Sequence, residues 1–221
     1  MQNDVVYQFR CSAESVKSDI AEVYRYLGLS RPVTEGRKGF IPLETVNLVN
    51  TSIAQMQQVI KPRAVYAAFD LNIKDNSTDE FSGKINFAGH SIFSRHLQRN
   101  LLGCSRVVLF AATIGPQVDA MIQRYTKIDS AKAAVLQATG AMFAESFVDM
   151  LNNSIRKEFS SYKIRPRFSP GYGDLSLEVQ SLFFSLLSCT QKIGLTLTDS
   201  FVMAPEKSVT GFIGLEPNPN E

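Results

Sequence analysis

The chain has 221 residues, 44% of them hydrophobic and 20% charged, with a formal net charge of +2. That length supports one domain, or one domain with a smaller appendage, and near-neutrality argues against nucleic acid or an anionic membrane surface as a partner. No apolar run reaches the ~18 residues that span a bilayer, and the opening Met1-Gln2-Asn3-Asp4 lacks the basic-then-apolar order of a signal peptide. Cys11, Cys104 and Cys189 are far apart and odd in number, which fits neither a disulfide framework nor a zinc site. A reducing, cytoplasmic setting with three buried thiols is expected.

Residues 13–27 read as a helix with Ser12 as N-cap and Gly28 as stop. A polar loop follows, and Pro42 opens a second helix at its first position. Its apolar stripe runs Leu43, Val46, Val49, Ile53, Met56 and Ile60. After Pro62, the alternation of Val65, Ala67, Phe69, Leu71 and Ile73 predicts a half-buried strand over 64–73. Ile85 and Phe87 mark a short strand, and 92–102 reads as a helix closed by Gly103. The continuous apolar run 107–112 fits a strand covered on both faces. A helix starts at Pro116, and a long one covers 129–159. A loop over 160–174 is followed by a helix over 177–193, closed by Gly194. Two last strands, 195–201 and 207–213, flank the Pro205 turn. Helices and strands mix without regular βαβ alternation, which predicts an α+β fold with a mixed or largely antiparallel sheet packed with several helices. The expected organisation is an N-terminal helical appendage over 1–40, the main domain over 41–217 and a frayed tail over 218–221.

Two places in this layout point to chemistry. The string Arg167-Phe168-Ser169-Pro170-Gly171-Tyr172 puts a bidentate cation, a Pro-Gly turn and an aromatic ring within one loop. Such a loop suits a small zwitterionic or aromatic molecule, and equally an ordinary surface turn. In the long helix, Glu145 falls on the apolar stripe of Ala134, Ala138, Ala141/Met142, Val148, Leu151 and Ile155. A carboxylate facing a core needs a cationic or donor partner, either a protein Arg or a ligand ammonium. His90 and His96, six apart, fall on separate faces of a helix and form no metal pair. Asp119, Asp129 and Asp149 read as solvated or capping residues. No Ser/His/Asp arrangement and no Gly-rich phosphate loop is recognisable.

Three ordered segments carry a resemblance. They are Phe143-Ala144-Glu145-Ser146-Phe147, the Arg167 to Tyr172 loop, and the run from Ile193-Gly194-Leu195 to Ser208-Val209-Thr210-Gly211. Together they resemble the reactivation domain of cobalamin-dependent methionine synthase, over about residues 130–215. Pro62-Arg63-Ala64-Val65-Tyr66 and residues 107–115 extend the likeness to short stand-alone relatives of that domain. The resemblance implies S-adenosylmethionine as ligand, with Glu145, Arg167, Ser169, Gly171 and Tyr172 as its binding residues. Arg167 would pair with the ligand carboxylate, Glu145 with its positive groups, and Tyr172 would pack on it, while Ser169 and Gly171 offer close backbone hydrogen bonds. No catalytic acid or base and no metal ligand is implied, since a partner supplies the cobalamin. The implied function is reactivation: docking on a corrinoid methionine synthase or methyltransferase chain and supporting reductive methylation of inactive cobalt(II) cobalamin, with a flavoprotein as electron donor. The alternative is a docking module of the same fold without S-adenosylmethionine; an unrelated methyltransferase ranks last. After Tyr172 the family pattern Pro-Ala-Cys-Pro is replaced here by Gly173-Asp174-Leu175-Ser176.

Overall fold

The computed structural model describes residues 5–29, 41–73 and 83–218. The loop read as the boundary near residue 40, and the last residues of the tail, lie outside them. At the centre are three long strands. β2 (Arg63–Asn72) pairs antiparallel with β5 (Arg106–Thr113), which pairs antiparallel with β9 (Ser208–Pro217). β3 (Lys84–Phe87) and β4 (His90–Phe93) extend one edge as a hairpin, and β6 (Tyr162–Ile164) closes the other. β1 (Tyr7–Arg10) joins the first half of β2. All the pairings are antiparallel, as is the separate small ribbon of β7 (Thr196–Leu197) and β8 (Met203–Ala204). The largely antiparallel expectation holds.

The pleat sends alternate residues of the central strands into two apolar layers. Ala64, Tyr66, Val108, Phe110 and Ile213 face one layer, formed by α1 (Ile20–Tyr26), α2 (Leu43–Gln57), α4 (Pro116–Thr126) and α5 (Ser130–Glu158). Val65, Ala67, Phe69, Leu109 and Phe212 face the other, formed by α3 (Arg95–Asn100), α6 (Gln180–Leu187) and α7 (Cys189–Ile193). β2 is therefore covered on both faces along most of its length rather than half-buried, because Ala64 and Tyr66 between the predicted core residues are themselves apolar and meet the α5 layer. Phe143 and Phe147 of α5 are fully buried; each contributes about 1.5–3 kcal/mol by leaving water.

Other elements shift for local reasons. The first helix begins at Ile20, not 13, because the Asp19 carboxylate accepts the Ala21 and Glu22 N–H groups whereas Ser12 makes no such cap. Ala13–Ser15 forms only a 3-10 turn. The segment read as an appendage thus adds β1 to the main sheet and buries Val16, Val23 and Tyr24 in the α5 layer. Leu43, at the first turn of α2, is 72% exposed and leaves the stripe that Val49 and Met56 bury. Ile92 belongs to β4, and α3 starts only after Ser94, whose hydroxyl accepts the Leu97 N–H. Ser188 takes a left-handed conformation (φ +53) and splits the predicted 177–193 helix. The break lets Phe183, Leu187, Cys189 and Ile193 all reach the same sheet face. Of the three thiols only Cys189 is fully buried, and burial pushes it up to about 12; Cys11 and Cys104 are half-buried. Among the described residues no helix is long and apolar enough to cross a membrane.

Candidate functional site

The site begins with the phase of α5. Met142, Phe143, Phe147 and Val148 turn inward, which leaves Glu145 and Asp149, one turn apart, on the outer edge of the helix. The Glu145 side chain is 43% exposed; it borders the apolar stripe rather than lying on it, as does Ala134, which is exposed. The facing segment is held by β9. Phe168 donates its N–H to the Phe212 carbonyl at 2.9 Å and accepts the Phe212 N–H at 2.8 Å. That bridge carries Arg167 to α5. Its guanidinium donates through Nη2 to Glu145 Oε2 and through Nη1 to Asp149 Oδ1, the latter at 2.6 Å. One cation thus lies between two carboxylates. Asp149, read from sequence as a solvated helix residue, belongs to the site, and its spacing of four from Glu145 is the signal that would have found it.

The turn after Arg167 is closed by its own backbone. Gly171 (φ +88) donates its N–H to the Leu175 carbonyl at 2.9 Å, and Tyr172 donates to the Ser169 carbonyl at 3.2 Å. The Gly171 amide and Ser169 carbonyl are engaged inside the loop. Tyr172 is 68% exposed and stands at the rim.

The departure from the family pattern has a structural role here. Asp174 accepts the Ser94 hydroxyl, the Arg95 N–H at 2.8 Å and the His96 N–H at 3.2 Å, and so caps α3 from across the cleft loop. These hydrogen bonds, the Ser94 hydroxyl first, hold its carboxyl down to about 2. Gly173 (φ +58) lies against the His96 ring: a Cβ there would sit 2.2 Å from Nδ1. The two histidines occupy different elements, His90 on β4 and His96 on α3.

Between α5 and α6 these elements leave a cleft of about 480 Å³. Glu145, Arg167, Ser169 and Tyr172 line it, joined by Gln180 of α6 and Thr210 of β9. A second hollow of about 510 Å³ lies on the other side of the Arg167 group, where Glu145, Arg167 and Tyr172 meet Asp19 and Glu22 of α1. Glu22 is paired there with Arg25 at 2.6 Å. The sequence reading missed Gln180, although its three- and seven-residue spacing to Phe183 and Leu187 puts a polar side chain on an apolar stripe. The same reading had no means to bring α1 or β9 to the site.

The family model described as "Vitamin B12 dependent methionine synthase, activation domain" matches residues 98–221, more than half of the chain. The chain belongs to this family. A solved structure described as the MetH reactivation domain bound to AdoHcy matches with a TM-score of 0.72 at 19% identity, covering 100% of this chain and 81% of that one. The likeness extends the activation-domain fold over β1 to β4, which precede the family match.

Proposed function

We propose that the cleft binds S-adenosylmethionine and that the protein acts as a reactivation module for a cobalamin-dependent methionine synthase or corrinoid methyltransferase. The observation that carries this reading is the meeting of the Arg167 to Tyr172 loop with Glu145 in one cleft, within a member of the activation-domain family. The related reactivation domain is described with AdoHcy, the demethylated form of the same ligand. The residues fit such a molecule. Arg167 offers a planar fork to a carboxylate, and Glu145 then balances the ammonium or sulfonium. The Tyr172 ring lies at the rim as a cation–π face for a positive sulfur. Bound S-adenosylmethionine supplies an activated methyl group; cobalamin comes with the partner, and a flavoprotein supplies electrons. The work of this chain is to bind, orient and shield, and no residue of the cleft need act as an acid or base. Ser169 shapes the turn, and Gly171 lets backbone pass close to the ligand.

A second reading keeps the fold and the docking but not the ligand. One observation favours it: both carboxylate-facing sides of the Arg167 guanidinium are already engaged, by Glu145 and Asp149. Calorimetric titration with S-adenosylmethionine separates the two. The first reading expects saturable heat and a raised melting temperature, with stabilisation of about 2.7 kcal/mol at a hundredfold excess over Kd. Arg167→Ala should weaken binding by about a hundredfold. Absence of heat and of any thermal shift with the wild-type protein removes the ligand and leaves the docking module, which a purified cobalamin-loaded methyltransferase should still retain in gel filtration.

A further inference from the structure

The α6 wall of the cleft holds a side chain whose amide oxygen has no partner among the described residues. Gln180 is the first residue of α6 and only 5% exposed. Its side chain lines the cleft with Phe168, Met203 and Val209. Its amide oxygen is buried and has no hydrogen-bond partner among the described residues. Folded proteins pair their buried polar atoms, and a native exception needs a reason. Here the reason lies in the cleft the side chain borders.

A glutamine amide sets an acceptor beside a donor, and the last torsion of the side chain lets the two exchange places at little cost. Its complement is a ligand edge that sets a donor beside an acceptor. The amino-acid end of S-adenosylmethionine does not match, because it carries full charges, and the Glu145–Arg167–Asp149 group is the charged part of the site. The ribose diol offers both functions, but it is a solvated group, whereas Gln180 is buried and shares the cleft lining with Phe168, Met203 and Val209. The adenine edge fits: a flat base that packs on apolar side chains and presents its amino group next to a ring nitrogen, the pair that glutamine reads in nucleic acids.

We propose that Gln180 hydrogen-bonds the adenine edge, which fixes the ligand with its base toward α6 and its amino-acid end toward α5. This inference rests on the S-adenosylmethionine reading of the cleft. The test titrates S-adenosylhomocysteine, and its analogue lacking the 6-amino group, into the wild-type protein and Gln180→Met. The wild type should bind the parent ligand at least tenfold more tightly than the analogue. Gln180→Met should lose at least tenfold toward the parent and less than twofold toward the analogue. Without ligand, Gln180→Met should melt at the wild-type temperature or above it, since an apolar side chain of similar shape removes the unpaired amide. Unchanged affinity for the parent, or equal losses for both ligands, overturns the assignment and leaves the cleft reading standing. A variant that melts several degrees lower shows the amide to be an internal structural group and also overturns it. A wild-type protein that binds neither ligand overturns the cleft reading and this assignment with it.

Discussion

On the α5 side of the cleft, Glu145 and Asp149 hold the Arg167 guanidinium between them, and that side chain is still 28% exposed. On the α6 side, Gln180 is buried more deeply and its amide oxygen has no partner among the described residues. The difference sets how each wall can take a ligand. At the charged wall binding would be an exchange, because a ligand carboxylate or ammonium would replace ion pairs the protein already makes. The net gain there is a small difference between two sets of partners. At the amide wall a ligand hydrogen bond replaces nothing. On the proposed reading, charge would confer selectivity for a zwitterion at modest gain, and the neutral wall would supply the contact the free protein lacks.

Three changes beyond those at Arg167 and Gln180 test this contrast. The largest effect is expected in β9, whose Ser208, Val209 and Thr210 line the cleft. Gly211 of β9 lets the fully buried Phe110 ring and Ser169 approach: a Cβ would lie 2.8 Å from Phe110 Cε1 and 3.3 Å from Ser169 Oγ. Gly211→Ala should lower stability by roughly 1–3 kcal/mol through overpacking, read by urea denaturation. A variant as stable as the wild type shows the packing of Phe110 and Ser169 on β9 to be compliant.

Next is the anchor of the loop that joins the walls. Asp174→Ala removes the carboxylate that caps α3 and should cost about 1 kcal/mol at neutral pH, as other helix caps do. The sign of its pH dependence follows from the depressed carboxyl. Its folded value, about 2, lies below the unfolded value of about 3.9. The stabilisation is complete above that unfolded value and disappears as the pH falls through the folded one. Thermal melts of the wild type and variant should differ at pH 7 and converge only below about pH 2. A gap that persists at the lowest pH means that the carboxylate charge is not the cause.

The smallest change tests the exchange itself. Asp149→Asn leaves Arg167 with Glu145 alone, and exposed ion pairs are worth about 0–1 kcal/mol. Affinity for S-adenosylmethionine should rise by about two- to fivefold in calorimetry. A fall instead means that Asp149 contacts the ligand rather than competing with it.

Much of the scaffold was legible from local signals. The unbroken apolar run of β5, the proline that opens α4 and the long phase of α5 are set within a few residues of where they act. The misreadings arose where a neighbour decided. β2 looked half-buried because its second face is covered by a helix far along the chain. The helix over 177–193 broke at Ser188 because both halves pack on one sheet. In the site, the Arg167 loop and Glu145 stood out by residue type, and Asp149 was readable from its spacing. Their engagement with one another was not readable, because it depends on the Phe168–Phe212 bridge.

The residue types that could meet a zwitterion, the α+β class and the family are written along the chain, because periodicity, caps and motif order are local properties. The tertiary structure decided which charges satisfy each other, that Asp174 anchors the loop across to α3, and that Gln180 is left with an unpaired amide oxygen. Those outcomes depend on β-strand register and on helices brought together over long separations, and no local pattern encodes the partner of a charge or the lack of one.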